Sequence, residues 1–398
     1  SGELSKETVF IDGTKLEACA NKYTFVWKKS VGKWEEKMFR KIQESVELVN
    51  REYIQSFTVT EETRTADLQK ICRFLETFCI DRQVVFVHGR GKRKSNHQRY
   101  LELFRRFLER QTTYDWHTAS FQGRNNYCKT DPDATFMHMK DDHMRNAQLK
   151  PGYNVQIGVD SEYIVAVDIF QDRNDVWTLV PFLKTMEEKL GFRYPSVTAD
   201  SGYESEEGYT YLRETGQDPY IKPQTYEKWK KRSFKKDISK RENMEYEEST
   251  DTYTCHAGKK LKPIFVKKQK SKSGYQSEVT VYECEDCSGC PYKERCTKAK
   301  GNKRLYVSKS FLEKRQESYE NILSEKGIQY RMNRSIQVEG AFGVLKNDYE
   351  FQRFLLRGKT KVKLEILLLC MGYNLNKLHA KIQNGRTGSH LFEIKKSA

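Results

Sequence analysis

The segment 152–214 constrains the fold more than any other, because it alternates between strand-forming and helix-forming patterns. Its strand-like runs are rich in β-branched and aromatic residues, and its helical runs repeat apolar side chains every three to four residues. The expected elements are, in order, the strands Gly152–Asp160 and Tyr163–Ile169, a helix from Trp177 to Leu190 with Asp175 as its N-cap, a short strand within Ser196–Tyr203 that ends at an aspartate, and a helix from about Glu206. Strands that alternate with helices pack as a helix-covered sheet, so the sequence predicts an α/β fold with a mixed sheet.

Two aspartates stand at strand ends in this interpretation. The run Thr8–Ala18 has the composition of a strand that ends at Asp12, and Asp200 closes the later strand. Asp12-Gly13 is also a strong hairpin signal, and taken alone the turn is the better interpretation of it. Because α/β sheets carry their chemistry where strands end next to loops, both aspartates are candidate site residues.

The chain has 398 residues and a formal net charge of +16, and both values bear on its class. The length predicts a core with large insertions or two to three domains. A positive surplus spread along the chain favours a polyanionic partner such as nucleic acid, with solubility alone as the alternative. No apolar run approaches the roughly 20 residues of a membrane span and no signal peptide opens the chain, so we expect no membrane partner. Because the chain starts at Ser1 rather than Met, we expect a fragment or a processed product.

Composition divides the chain into five expected segments. Residues 32–112 carry three stretches of helical apolar spacing, which predict three amphipathic helices packed on one another. From Tyr220 the pattern changes to a basic stretch, followed by short strand-like pieces and a cluster of cysteines. The segments are the first strands of an α/β core (1–30), a helical insertion (31–115), the continued core (116–214), a basic and cysteine-rich insertion (215–310) and the closing helices of the core (311–398).

Two short basic stretches are candidate nucleic-acid contacts, since lysine and arginine follow phosphate backbones. The candidate residues are Arg90, Lys92, Arg93 and Lys94 in a glycine-containing loop, and Lys230 and Lys231 beside Trp229. The loop lacks the GxxxxGK[ST] spacing of a nucleotide-binding P-loop. A solvated loop or face is the alternative for both stretches.

A helical pattern over residues 334–346 carries an unusual acid. At 3.6 residues per turn, Glu339, Phe342, Gly343 and Lys346 fall close to one face, and an acid in the middle of such a face needs a partner. A surface ion pair with Lys346 is one alternative. The other is a shared metal site, because hard divalent ions prefer carboxylate oxygens and two ions roughly 3.5–4 Å apart promote in-line phosphoryl displacement.

Five cysteines gather within residues 255–296: Cys255, Cys284, Cys287, Cys290 and Cys296. CxxC spacing lets two thiolates reach one tetrahedral ion, so we expect a structural metal, with zinc first and an iron–sulfur cluster second. Redox-inert thiols are the alternative. The remaining cysteines, mostly on apolar faces, are expected in the core: Cys19, Cys72, Cys79, Cys128 and Cys370.

Three separated segments resemble the signature blocks of bacterial insertion-sequence DDE transposases, a clan with an RNase H-like core. They are Phe10-Ile11-Asp12-Gly13-Thr14, Thr198-Ala199-Asp200-Ser201-Gly202-Tyr203, and Val338-Glu339-Gly340-Ala341-Phe342-Gly343-Val344-Leu345-Lys346. Residues 124–134 and 148–154 also resemble the insertion-sequence group eleven-eighty-two within that clan. The resemblance covers essentially the whole chain in the right order.

The resemblance implies that Asp12, Asp200 and Glu339 are the catalytic acids and hold two Mg²⁺ or Mn²⁺ ions. It also implies that Lys346 contacts DNA phosphate, and an arginine is expected four residues before the acid. Ser335 stands at that position and Arg334 lies one residue earlier, so Arg334 is an off-register candidate. Asp131 and Asp133 compete for the role of first acid, but their Asp-Pro-Asp context is typical of a turn, and we expect them at most to support the site.

The implied activity is metal-dependent DNA strand cleavage at element ends, followed by transfer of the freed 3′-OH ends to target DNA. Double-stranded DNA is the implied partner, the synaptic complex is expected to hold a homodimer, and the expected location is the bacterial cytoplasm at the nucleoid. The cysteines of similar transposases lie between the second aspartate and the glutamate, which implies a structural knuckle. Two alternatives remain: a nuclease or resolvase with the same metal chemistry but no strand transfer, and a truncated transposase that only binds DNA.

Overall fold

The computed structural model of the protein describes residues 2–139 and 148–393, which form two compact units. The first unit combines the chain up to Leu16 with Tyr153–Phe354 and the chain from Thr360 onwards. The second unit combines Glu17–Gly152 with Leu355–Lys359.

The described strands are numbered in chain order. They are β1 (Thr8–Glu17), β2 (Phe25–Trp27), β3 (Asn126–Cys128), β4 (Thr135–His138), β5 (Leu149–Asp160), β6 (Tyr163–Phe170), β7 (Ser196–Ala199), β8 (Asp218–Ile221), β9 (Glu245–Glu247), β10 (Thr252–Thr254), β11 (Lys260–Lys270), β12 (Gln276–Cys284) and β13 (Arg304–Val307).

The α-helices are numbered in the same way. They are α1 (Lys28–Tyr53), α2 (Arg64–Asp81), α3 (Asn96–Phe121), α4 (Leu179–Leu190), α5 (Glu206–Glu214), α6 (Tyr226–Trp229), α7 (Arg232–Lys235), α8 (Lys293–Cys296), α9 (Lys309–Leu323), α10 (Glu325–Arg334), α11 (Gly340–Gly343) and α12 (Lys359–Gln383). Short 3₁₀ turns occupy Asp175–Trp177, Ser201–Tyr203 and Arg241–Asn243, and π-helical turns occupy Ser335–Glu339 and Val344–Asp348.

The main sheet of the first unit has the strand order β6-β5-β1-β7-β8, with β1 at its centre. β5 and β6 are antiparallel, whereas β1 runs parallel to β7 and β7 runs parallel to β8. Consecutive β1 residues are buried on both faces, as expected for a central strand covered by helices. On one face Val9 and Ile11 pack with apolar residues of α4 and α5, and on the other Phe10 meets Tyr330 of α10 edge to face. The predicted mixed α/β fold with flanking helices is therefore confirmed at this level.

Two local predictions in this unit are wrong. β1 does not end at Asp12, and Asp12-Gly13 is not a hairpin, because the strand continues through both residues to Glu17. Asp175 is not the N-cap of a helix that starts at Trp177. It opens a short 3₁₀ turn, and α4 begins at Leu179.

A second sheet in the first unit is antiparallel, with the order β13-β12-β11-β10-β9. β11 and β12 form a long hairpin whose register shifts between Pro263 and Phe265. The small core of this sheet contains Tyr253, Leu261 and Tyr282 together with two of the clustered cysteines, and a third cysteine packs against it. The cysteine-rich segment therefore folds around its own core.

The second unit contains the three predicted amphipathic helices. Residues of α1, α2 and α3 share one apolar core, which includes Ile42, Ile71 and Phe104 as fully buried side chains. Predicted core thiols Cys72, Cys79, Cys128 and Cys370 are buried across the two units, whereas Cys19 is half-buried. None of the described helices combines the length and the apolar character that a bilayer crossing requires.

Candidate active site

The parallel ladder between β1 and β7 brings Asp12 and Asp200 together. Its last recorded pairs are Phe10 with Thr198 and Ile11 with Ala199. The next residues in that register are Asp12 and Asp200, which therefore lie side by side where β7 ends. Neighbouring strands are about 4.8 Å apart, so two carboxylates at this point are close enough to repel each other strongly.

Both aspartates accept hydrogen bonds from nearby glycine amides. Oδ1 of Asp12 accepts from the backbone N–H of Gly13 at 2.8 Å, and Oδ1 of Asp200 accepts from that of Gly202 at 2.7 Å. Burial raises the pKa of Asp12, and the negative charge of Asp200 raises it further, although Arg334 and the Gly13 amide act in the opposite direction. The ionised pair is therefore under electrostatic stress that a cation would relieve.

Arg334 at the end of α10 links the third acid to this pair. Its Nη1 lies 3.1 Å from Oδ2 of Asp12, and its Nη2 lies 3.5 Å from Oε1 of Glu339. The side chains of Arg334 and Asp12 are 16% and 20% exposed, so their ion pair is largely shielded from water. The guanidinium thus holds a positive charge between two of the three predicted acids.

The contact between Arg334 and Glu339 explains the off-register arginine. In an α-helix, residues three or four apart face each other, whereas these two are five apart. The π-helical turn Ser335–Glu339 adds one residue to the helix without adding a turn. Because this wide turn contains the extra residue, Arg334 lies on the same face of the helix as Glu339. An arginine four residues before the acid would occupy that position on a regular α-helix.

The predicted face of Glu339 is mixed in its exposure. Phe342 is buried, Gly343 and Lys346 are half-buried, and the Glu339 side chain is 59% exposed. The fully buried side of the helix instead carries Val338, Ala341 and Leu345. Glu339 therefore projects from the edge of the helix into solvent beside the arginine.

Several polar residues behind the aspartates were not predicted. Asn154 and Gln156 of β5 are fully buried, and each donates an amide hydrogen bond to Oδ1 of Asp175, at 2.8 and 2.9 Å. The hydroxyl of Tyr203 donates to the side-chain oxygen of Gln156. Burial raises the pKa of Tyr203 well above its usual value, and the charges of Asp175, Asp12 and Asp200 add to that effect.

Asp175 is thus a fourth carboxylate next to the site. A methyl group built on Gly13 would lie 3.0 Å from its Oδ1, and one built on Gly202 would lie 3.5 Å from its Oδ2. Its partners come from β5, which is distant in the sequence, so no local pattern revealed this role. The sequence offered one signal of a buried polar network, namely Asn154 and Gln156 two residues apart on one strand, which places both side chains on the same face of the sheet.

These carboxylates fit a divalent cation by their chemistry. Asp12 and Asp200 provide adjacent hard oxygen donors whose charges repel each other, and Mg²⁺ and Mn²⁺ prefer such donors. Within residues 2–139 and 148–393, however, no three His, Cys, Asp or Glu side chains are arranged to hold an ion. Glu339 is joined to Asp12 through Arg334, whose positive charge lies between the two carboxylates.

The predicted DNA-contacting residues are spread over both units. Arg90, Lys92 and Arg93 are exposed in the second unit, where Lys94 forms a 2.6 Å ion pair with Glu102. Lys346 lies in the second π-helical turn, Val344–Asp348, two helical turns beyond Glu339.

The other two predicted contacts, Lys230 and Lys231, are exposed in the first unit. Lys230 also lies 4.1 Å from the centre of the Tyr226 ring and 3.4 Å from Glu227.

Asp131 and Asp133 have structural partners within the second unit. Oδ1 of Asp131 accepts from the backbone N–H of Gly358 at 3.2 Å, and Oδ2 of Asp133 accepts from that of Lys359 at 2.8 Å. Both carboxylates thus hold the segment Leu355–Lys359 through its backbone amides.

The five clustered cysteines line one cavity of about 20 Å³, together with His256. All five are free thiols, and Sγ of Cys287 accepts a backbone hydrogen bond from Lys303 at 3.3 Å. Burial raises the pKa of Cys284 to about 12, and burial also raises that of Cys296. The structure brings the predicted ligands together around one cavity. Among the described residues, however, the thiols are not positioned to bind one metal ion.

Comparison with known proteins gives one match. Residues 254–379 match the family model described as Transposase DDE domain. Glu339, Arg334 and the five clustered cysteines lie inside the matched range, whereas Asp12 and Asp200 lie outside it. No curated protein and no solved structure matches the chain. The match supports a DDE transposase and, with it, a phosphoryl-transfer enzyme that acts on DNA.

Proposed function

We propose that the protein is a DNA transposase of the insertion-sequence type that cleaves DNA strands and transfers their 3′ ends, using divalent metal ions. The observation that carries the proposal is the juxtaposition of Asp12 and Asp200 by the β1–β7 register, with Glu339 tied to Asp12 through Arg334. Asp12 on the central strand also supports the RNase H-like assignment of the core. The family match to the closing third of the chain is independent support.

In this proposal Asp12, Asp200 and Glu339 hold two Mg²⁺ or Mn²⁺ ions, which would activate the attacking oxygen and stabilise the leaving oxygen. The chain's own residues do the rest. The glycine amides that bond to Asp12 and Asp200 fix both carboxylates, and the Asn154–Gln156–Asp175 network supports them from behind. Arg334 neutralises the acids before metal binds and offers a guanidinium to a DNA phosphate afterwards.

The remaining predicted contacts belong to the same proposal. Lys346 contacts a DNA phosphate near the acids, and the exposed basic residues of both units add contacts with the phosphate backbone that depend on salt. The clustered cysteines would hold a structural zinc ion, which would cross-link the segments that carry them and stabilise the second sheet. Elemental analysis of the purified protein measures the zinc content per chain. The Cys287→Ser variant should contain less zinc than the wild type.

The test uses purified protein, Mn²⁺ or Mg²⁺, and DNA carrying the genomic ends that flank the element. Asp200→Asn should abolish cleavage while DNA binding in a mobility-shift assay stays unchanged. Asp218→Asn is the matched control, because Asp218 is exposed at the opposite end of the sheet, where it pairs with Ser196. Normal cleavage by Asp200→Asn would refute the assignment of the acids.

Strand transfer is tested separately. Precleaved ends with free 3′-OH groups and a circular target should give joined products with the wild-type protein. Cleavage without any joined product would identify a nuclease that uses the same site.

A further inference from the structure

Helix α12 presents two different faces. Its inner face is buried and carries Val362, Ile366, Cys370 and Tyr373. Its outer face carries five large apolar side chains that are 55–67% exposed. They are Leu364, Leu368, Met371, Leu375 and Ile382. Apolar side chains exposed singly need no explanation, but a row of them on one helix marks an interaction surface.

The spacing of this row is that of a coiled coil. Together with the half-buried Leu378, the exposed residues follow one another at intervals of four, three, four, three and four positions. This is an unbroken heptad pattern of a and d positions over nearly three heptads, and we call these six residues the α12 seam. A core-facing helix of a globular protein has a broader apolar stripe, whereas a narrow a/d seam is typical of pairing with one other helix.

The helix cannot rotate to bury its seam, because polar contacts fix its inner face on β6. The Asn374 side chain accepts from the N–H of Ile164 at 2.9 Å and donates to the carbonyl of Ile164 at 2.8 Å. Lys363 forms a 2.6 Å ion pair with Asp168 of the same strand. The seam is therefore a fixed outward surface.

We infer that the α12 seam pairs with the α12 seam of a second copy of this chain. All six seam positions are apolar, so the surface is complementary to itself in either helix direction. Gly372 lies beside the seam, where an added methyl group would meet no atom within 4 Å, and this leaves room for close helix approach. The five exposed side chains present roughly 500 Å² per copy, so a pair would bury about 1,000 Å², which reaches the lower bound of a specific interface.

The inference is tested by the mass of the protein in DNA-free buffer, measured by light scattering or sedimentation. The wild type should have twice the 47.0 kDa chain mass at micromolar concentration. Met371→Glu/Leu375→Glu and Met371→Lys/Leu375→Lys should each be monomers, because like charges would meet at the centre of the seam. A 1:1 mixture of the two variants should return to twice the chain mass, since opposite charges then face each other in either helix direction.

The control variant is Leu48→Glu/Ile80→Glu, which changes two exposed apolar side chains outside α12 and should remain a dimer. Recovery of the dimer by mixing shows that the seam variants are folded. A monomeric wild type would overturn the inference, as would an acidic variant that stays dimeric. None of these results depends on the proposed DNA chemistry, so the two proposals fail separately.

Discussion

Gly13 beside the first aspartate should not tolerate a side chain, and Gly13→Ala measures how tightly the site is packed. A Cβ at this position would lie 2.2 Å from Nε2 of Gln156 and 2.9 Å from its Cδ, well inside the contact distance of about 3.5–4.0 Å. Gly13 is not among the residues with positive φ, so the backbone itself accepts alanine. The cost therefore arises from the contact with Gln156 alone.

Gln156 has nowhere to move without losing its partners. It is fully buried, and its amide donates to Oδ1 of Asn154 and to Oδ1 of Asp175, each at 2.9 Å. A buried hydrogen bond to a charged group contributes about 1.5–3 kcal/mol, and overpacking adds about 1–3 kcal/mol. Gly13→Ala should therefore lower the free energy of unfolding by about 3–5 kcal/mol.

Urea unfolding at constant m-value measures this loss. Gly340→Ala is the matched control, because Gly340 is helical and an added methyl group meets nothing within 4 Å. That control should be neutral or more stable by up to about 1 kcal/mol. In the double variant Gly13→Ala/Gln156→Ala the added methyl group no longer meets the Gln156 side chain. Its loss of unfolding free energy should therefore be smaller, by at least about 1 kcal/mol, than the sum of the losses in the two single variants. A Gly13→Ala protein within about 0.5 kcal/mol of the wild type would refute the packing described for Gln156.

Two further predictions concern the charges of the site. Arg334→Gln removes the positive charge between Asp12 and Glu339, so it should destabilise the metal-free protein by about 2–3 kcal/mol. The same substitution should increase the rise in melting temperature that Mg²⁺ causes. An equal rise in the variant and the wild type would contradict the view that Arg334 neutralises these acids when no metal is bound. Asp12 has a raised pKa in the folded state, so its contribution to stability is fully present below its unfolded pKa of about 3.9 and is lost as pH rises through the folded pKa. Asp12→Asn should therefore gain stability relative to the wild type as pH rises through that window in EDTA. A constant difference across pH would contradict the raised pKa of Asp12, which burial causes first and the charge of Asp200 second.

Local patterns predicted the elements that depend on local interactions. Apolar spacing at every third and fourth residue located α1, α2 and α3, because an amphipathic helix carries its packing face in its own sequence. The strand propensity of residues 8–18 was also correct. Asp12-Gly13 was misinterpreted, because β1 is hydrogen-bonded within the sheet on both sides and this pairing overrides the turn preference of the dipeptide.

The parts of the candidate site that were missed depend on distant partners. Asp175 resembles a helix cap in its own segment, and only the folded chain brings it near Gly13 and Gly202, next to the two aspartates. Arg334 appeared one position out of register because the spacing was counted on a regular α-helix. Both errors come from geometry that the neighbouring residues do not encode.

The π-helical turn at Ser335–Glu339 gives this helix a tolerance that regular helices lack. A regular α-helix that gains or loses one residue rotates everything beyond that point by about 100°. Here, deletion of Ser335 would convert the wide turn into an ordinary one, while Arg334 and Glu339 would still meet. Two related proteins that differ by one residue at this point can therefore have the same arrangement of acids and arginine. A comparison of the number of residues between the arginine and the glutamate would then class such proteins as different although their sites superimpose.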